Sequence, residues 1–360
     1  MAFDHGLNDL VLLTIEVLAG RLAEYSYAAL PELSPGETLP QGSVTIVIPA
    51  RNEAERLPLL LHSLSQLRYP DFEVVVVDDG SSDGTGEIAG GHGARALHIE
   101  GPAEGWTGKA YACQVGADAT TSDWLLFTDA DTIHAPESLG CAVAEASKSR
   151  AGLFSLLARQ ECRTFWERLL LPYAYALYFV GAWRINRPGR PAVANGQYLL
   201  FRRAVYDAIG GHASARDSLI EDITLARNVA AAGERVVLAR GERLLSVRMY
   251  SGLGAIREGF GKNAFRFVRV SPTTGLPTAL AGVIFLAGAT RALRSGPRPL
   301  RLTVYLVPVV FLTRWQRRFG APRGLALLYP LAGLVFQGIA IESLWRGTRR
   351  GRTVWKGRRY

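Results

Sequence analysis

The chain has 360 residues, enough for one large domain or two ordinary ones. Hydrophobic residues make up 48% and mean hydropathy is slightly positive, too apolar for an ordinary soluble protein and too polar for a transporter, so a globular body with a small membrane part is expected. A net charge of +9 admits anionic lipid, anionic substrates or nucleic acid as partners, and Cys113, Cys141 and Cys162 lack metal spacing and exclude a disulfide framework, which favours a reducing compartment.

In chain order, residues 7–20 are mildly apolar, but Asp9 and Glu16 interrupt them and no basic start precedes them. A surface-lying or docking helix is expected there rather than a secretory signal or a span. The run PELSPGETLPQG is a linker that closes an N-terminal segment at 1–42. A β-branched strand over Val44–Ile48 stops at Pro49, and Leu57, Leu60, Leu61, Leu64 and Leu67 then fall on one helical face. FEVVVVDDGSSDGT begins as a continuous apolar strand of the kind buried on both sides in a parallel sheet. A weaker helix, the strand ARALHIE, a helix from Lys109 to Ala119 and the strand WLLFT follow.

This alternation predicts a doubly wound α/β fold with a mostly parallel, Rossmann-like sheet, in which ligands bind at the carboxyl ends of the strands. Three strands end in polar groups: Ala50-Arg51-Asn52-Glu53, Asp78-Asp79-Gly80-Ser81 and Asp129-Ala130-Asp131. One shared pocket is therefore expected. Beyond Ser271, apolar segments at 276–290, 302–313 and 324–344 alternate with arginine clusters and end in the tail RGTRRGRTVWKGRRY. Only the last segment approaches the roughly 20 residues of a span. Three full spans would strand arginines on the wrong side, so one segment is expected to be re-entrant or interfacial, with the tail and the pocket facing the cytosol.

Asp129 and Asp131 repel one another unless a cation joins them, and a hard divalent ion such as Mg2+ or Mn2+ suits two carboxylates plus phosphate oxygens. A plain strand-to-loop turn is the other reading. Asp78, Asp79 and Ser81 offer acceptors to a base or ribose; the other reading is an N-cap for the following helix from Ser81, Ser82 or Asp83. Lys109, after a glycine at a helix start, suits a phosphate or is an ordinary surface lysine. Glu221 and Asp222 either supply a catalytic carboxylate or complement a helix dipole.

VTIVIPARNEAERL, EVVVVDDGSSDGT, GWTGKAYACQVGA and LLFTDADT, in this order and spacing, resemble the nucleotide-sugar half of family-2 glycosyltransferases, which have the GT-A fold. The resemblance covers about 43–250, with 43–135 as the nucleotide-sugar half and 136–250 as the acceptor half. It implies donor contacts from Pro49, Ala50, Arg51, Glu53, Asp79 and Asp129, with Asp78 supporting them and Lys109 near the diphosphate. It also implies a metal on Asp129 and Asp131, and Asp222 as base beside Glu221. GQYLLFRRAVYDAIGGH is similar to the acceptor half and brings in Gln197 and His212. VRMYSGLGAIREGFGKN is similar to membrane-associated enzymes of the carotenoid and hopanoid-associated group, and brings in Arg248, Tyr250, Lys262 and Asn263 on the acceptor side. Residues 251–270 form an amphipathic helix that either lies among lipid headgroups or packs on the core. The uncharged, aromatic run Leu169–Trp183 suits either a lipid groove or a core.

The expectation is a metal-dependent inverting transfer from a UDP-linked sugar to a membrane lipid, a carotenoid or other polyisoprenoid. Polysaccharide or glycolipid assembly, nucleotidyl transfer and a non-catalytic membrane scaffold are the rivals. No glycine-rich triphosphate loop supports nucleotidyl transfer. The arginines sit beside apolar segments, which fits an anionic lipid surface rather than nucleic acid.

Overall fold

The computed structural model describes residues 2–36, 42–183, 185–187, 192–294, 299–349, 354–355 and 358–359. The elements in chain order are α1 (Ala2–Ala28), β1 (Val44–Ala50), α2 (Leu57–Ser65), β2 (Phe72–Asp79), α3 (Thr85–Gly91), β3 (Arg95–Ile99), α4 (Gly108–Asp118) and β4 (Trp124–Thr128). Then come β5 (Thr132–His134), α5 (Ser138–Lys148), β6 (Ala151–Leu157), β7 (Arg159–Gln160), α6 (Phe165–Gly181), β8 (Tyr198–Arg202), α7 (Arg203–Ala208), α8 (Glu221–Ala231), β9 (Arg235–Arg240) and β10 (Leu245–Val247). The remainder is α9 (Leu253–Val270), α10 (Pro272–Arg294), α11 (Pro299–Arg318) and α12 (Tyr329–Arg349), followed by the short antiparallel strands β11 (Val354–Trp355) and β12 (Arg358–Arg359). The chain divides into two compact units, one of residues 30–160 and 186–249 and one of residues 1–29, 161–185 and 250–360.

The first unit is built on a seven-stranded sheet in the order β3-β2-β1-β4-β8-β6-β9. β1 runs parallel to β2 and β4, β2 to β3, and β6 to β9, while β8 is antiparallel to both of its neighbours. Side chains alternate between the two faces of a strand, so each apolar run feeds two cores. Ile46, Ile48, Val76, Leu126, Phe154 and Leu200 pack on one side with Leu57, Leu60 and Leu64 of α2 and Leu139 and Ala142 of α5. Val47, Val75, Val77, Leu125, Phe127 and Phe201 pack on the other with Ala112 and Cys113 of α4 and Leu225 and Val229 of α8. This double burial is why the strands read as continuous apolar runs. A small sheet, β5-β10-β7, lies in the same unit, and all three cysteines are free thiols.

The second unit collects α1, α6 and α9–α12. Helix α6 starts at a capping box in which Thr164 accepts from the Glu167 N–H and Glu167 accepts from the Thr164 N–H. The expected 43–250 domain is thus interrupted: residues 161–185, with the aromatic run, belong to the helical unit, where Phe179 stacks on Trp315 of α11 at 5.5 Å. Two helical stretches, Pro272–Leu293 (22 residues) and Arg323–Trp345 (23 residues), are long and apolar enough to cross a membrane. The sequence segment at 276–290 is shorter than the helix that contains it, because the helix begins at Pro272, a residue suited to a first turn. Residues 37–41 of the linker and residues 350–353, 356, 357 and 360 of the basic tail lie outside the described residues.

Candidate functional site

The loops after β1 and β2 are laced together by main-chain donors. Asn52 adopts a left-handed conformation (φ 53°), which asparagine tolerates better than most residues. Its N–H donates to Ser81 Oγ at 2.9 Å and its Oδ1 accepts from the Ser82 N–H at 2.9 Å. The Glu53 N–H donates to Thr85 Oγ1 (3.0 Å) and the Ala54 N–H to Asp83 Oδ2 (3.0 Å). Pro49 and Ala50 are in register with Val77 and Asp78. Arg51 donates to the Asp79 carbonyl at 2.9 Å and lies 4.0 Å from its carboxylate. Asp78 is buried, accepts from the Ser81 N–H at 3.1 Å and meets His98 Nδ1 at 3.0 Å, so it organises the loop, while the Asp79 carboxylate stands beside Arg51.

Lys109 lies in the first turn of α4, whose start is capped by Thr107. Its ammonium is 2.8 Å from Asp129 Oδ1 at the end of β4 and 2.8 Å from Glu221 Oε1 at the start of α8. It also donates to the Gly196 carbonyl at 3.5 Å. Its side chain is half-buried and all three N–H donors have protein acceptors, so the reading of a solvated surface lysine does not describe it. Burial alone would lower its pKa, but Asp129 and Glu221 hold it charged, well above the usual value. The neighbouring carboxylate, Asp131, is 3.5 Å from Arg56. Burial, then repulsion from Asp129, pushes its pKa up to about 7. The side chains of this D-x-D motif therefore face cations, and only the Asp129 carbonyl takes part in the local turn, accepting from Thr132 Oγ1 at 2.8 Å.

Asp222 accepts from the Gly196 N–H at 3.0 Å and, through its other oxygen, from the Ile223 N–H at 2.8 Å. Burial, and then the charge of Glu221, raises its pKa to about 6. Gly196 thus holds both key groups, its carbonyl toward Lys109 and its N–H on Asp222. A Cβ there would lie 3.3 Å from Lys109 Nζ and 3.2 Å from Asp222 Oδ2, so only glycine lets the two approach freely.

Of the acceptor-side residues, Gln197 is buried, its Oε1 accepting from Asn195 Nδ2 at 3.1 Å. His212 is buried against Phe127, 2.9 Å from the Tyr206 hydroxyl, and burial lowers its pKa to about 3, so it stays neutral. Arg248 follows β10 and is half-buried. Tyr250 and Lys262 belong to the helical unit, where the Tyr250 ring packs on Phe260. The side chain of Asn263 lies outside the described residues. Sequence reasoning missed Arg56, Gly196 and His98. Arg56 and Gly196 stand inside or beside the recognised motifs (NEAERL, NGQY), but their partners come from other strands. Among the described residues no group of three or more His, Cys, Asp or Glu side chains is arranged to hold a metal, so Asp129 and Asp131 offer at most two carboxylates.

A family model described as glycosyl transferase family 2 matches residues 45–210, which contain every strand-end motif. A 4,4'-diaponeurosporenoate glycosyltransferase of Staphylococcus aureus strain MRSA252 is 29% identical over 340 residues, spanning 88% of both chains. The protein of the same name from strain USA300 is 27% identical over 333 residues, again spanning 88% of both. Among solved structures, the mannosyltransferase PcManGT from Pyrobaculum calidifontis, in complex with GDP-Man and Mn2+, aligns with a TM-score of 0.60 at 19% identity over 94% of this chain and 98% of that chain, a likeness of fold. Residues 45–210, with the strand-end carboxylates and Lys109, thus form a domain of the glycosyl transferase family 2 type, and the chain has the GT-A fold.

Proposed function

We infer that the chain transfers a sugar, with inversion, from a nucleoside diphosphate sugar to a membrane lipid bearing a carboxylate or hydroxyl, of the carotenoid or polyisoprenoid class. The observation that carries this reading is the Lys109 bridge, which ties the D-x-D at the end of β4 to the acidic pair at the start of α8. Two oxygen-donor carboxylates, with the pKa of Asp131 raised by burial and then by the charge of Asp129, fit a hard divalent cation that takes its other ligands from phosphate and water. Asp129 and Asp131 would hold it, and its chemistry there is charge neutralisation on a departing diphosphate. Glu53 and Asp79 face the nucleoside, and Lys109 supplies a second positive charge to the diphosphate.

Next to Lys109, on the N–H of the same Gly196, Asp222 is fixed by two backbone donors and takes the proton of a hydroxyl acceptor as the new bond forms at the anomeric carbon and the diphosphate departs. A carboxylic acceptor is already ionised, and Asp222 then orients it. The name of the relatives, 4,4'-diaponeurosporenoate glycosyltransferase, supports an apolar carboxylate. The apolar helices over 272–293 and 323–345, flanked by arginines, support a cytoplasmic membrane location with the sheet facing the cytosol and the basic flanks on anionic lipid. The sequence favours a UDP-linked donor, while the GDP-Man of PcManGT brings GDP-linked donors into the same assay.

The test combines purified protein, Mn2+ or Mg2+, a panel of labelled UDP- and GDP-sugars, and a polyene carboxylic acid or isoprenoid alcohol in mixed micelles. Labelled lipid with stoichiometric free nucleoside diphosphate is expected. Release of pyrophosphate instead, or no labelled lipid from any pairing, overturns the reading.

A further inference from the structure

An ammonium has three N–H donors, and all three on Lys109 have acceptors: Asp129 Oδ1 and Glu221 Oε1 at 2.8 Å each, and the Gly196 carbonyl at 3.5 Å. No donor remains for a phosphate. In this arrangement Lys109 and a divalent cation need the same carboxylate, Asp129. The flexible stem of lysine and the partial exposure of its side chain allow the head to leave. Asp131 has its own place-holder in Arg56 at 3.5 Å, so both acids of the D-x-D are already matched by protein cations.

We propose that Lys109 is an internal counter-ion that occupies Asp129 until a nucleoside diphosphate draws its ammonium away, so that metal and nucleotide are taken up together rather than in turn. This rests on the reading of Asp129 and Asp131 as the seat of a divalent cation. Without nucleotide, Lys109 and the cation compete for Asp129, and the cation binds weakly. With nucleotide, the diphosphate offers Lys109 new acceptors, Asp129 is released, and the diphosphate oxygens add ligands of their own. Lys109 acts here as a positioning residue through Asp129. The same exchange breaks the Lys109–Glu221 ion pair only when donor is present, which links the donor end of the site to the acidic pair on α8.

The measurement is Mn2+ affinity, read from the electron paramagnetic resonance signal of free Mn2+, for the intact protein and for Lys109→Gln, with and without saturating UDP or GDP. Without nucleotide, Lys109→Gln is expected to bind Mn2+ more tightly, on the order of tenfold, the usual size of a coupling between two sites. The further gain on adding nucleotide is expected to be smaller in the variant than in the wild type. Lys109→Arg keeps the charge and is expected to stay weak. Lys109→Met, which keeps the apolar stem, replaces the glutamine variant if that does not fold. Equal or weaker Mn2+ binding by folded Lys109→Gln or Lys109→Met without nucleotide overturns the proposal. A wild type that binds no Mn2+ even with UDP or GDP overturns the D-x-D reading itself and the proposal with it.

Discussion

Asp222 sits between two opposed influences, and the balance sets when it can work. Burial and Glu221 raise its pKa, whereas Lys109 and the N–H groups of Ile223 and Gly196 lower it, leaving it at about 6. Because the raised value favours the protonated acid, a base at this position is switched off as pH falls through that value and fully available above it. With a hydroxyl acceptor, kcat/KM is therefore expected to drop about tenfold per pH unit below the limb and to level off above it. Glu221→Gln removes the main charge that raises Asp222 and should move the limb to lower pH, while Asp222→Asn should abolish turnover and leave nucleotide binding intact. A flat pH profile through that region, or substantial activity in the asparagine variant, would remove Asp222 from the mechanism. His212 is excluded as the source of the limb, since burial keeps it neutral far below this range.

Helix α4 carries Lys109, so its seat on the sheet fixes where the ammonium can reach. The seat depends on Gly116, where a Cβ would collide with Val47 Cγ1 and lie 3.1 Å from Val77 Cγ2. Gly116→Ala must push the helix off the sheet, at a cost of about 1–3 kcal/mol, the usual range for overpacking a filled core. Urea unfolding should report that loss, and an unchanged midpoint would mean the helix has slack that the packing does not suggest. β1, β2 and β4, with α2 and α4 between them, were legible in the sequence because β1, β4 and the second half of β2 are buried on both faces and run into polar residues, a pattern visible without tertiary knowledge. The meeting of Lys109 with both Asp129 and Glu221 was not legible. It depends on β8 lying antiparallel to β4, which brings Gly196 beside the end of that strand. Helix α6 was ambiguous for a related reason: an apolar aromatic run has the same composition in a groove wall, a core or a helical bundle, and only its partners decide. The acceptor-side residues divide similarly, with Gln197, His212 and Arg248 in the sheet unit and Tyr250 and Lys262 in the helical one.

At the scale of the whole molecule, the helical unit distributes polarity in the opposite sense to the sheet unit. The sheet unit exposes few large apolar side chains, Leu59 and Ile133 among them, whereas Leu7, Leu10 and Leu18 of α1, Leu276 and Leu280 of α10, Val310 of α11, and Leu334 and Ile341 of α12 all stand more than half exposed. A soluble protein rarely leaves so much apolar surface in contact with water. Charges in the same unit instead turn inward and pair: Asp9 of α1 with Arg291 and Arg301, and Glu24 of α1 with Arg318 at 2.7 Å, whose guanidinium also lies over Tyr27 and Trp315. Glu16 is fully buried in α1 and, among the described residues, its carboxyl oxygens have no hydrogen-bond partner. Apolar outside and paired charges inside is the arrangement that hydrocarbon selects, since a charge facing lipid is expensive and an apolar side chain facing lipid is not. A protein held to a bilayer only by its arginines would be released when salt screens them, whereas one held by an apolar belt would stay. The purified chain should therefore float with anionic vesicles in a density gradient and remain with them at about 1 M salt, where the Debye length is near 3 Å. Vesicles of neutral lipid should retain it as well. Quantitative release by salt would instead assign the attachment to the basic clusters alone and leave the exposed leucines of α1, α10 and α12 to some other partner.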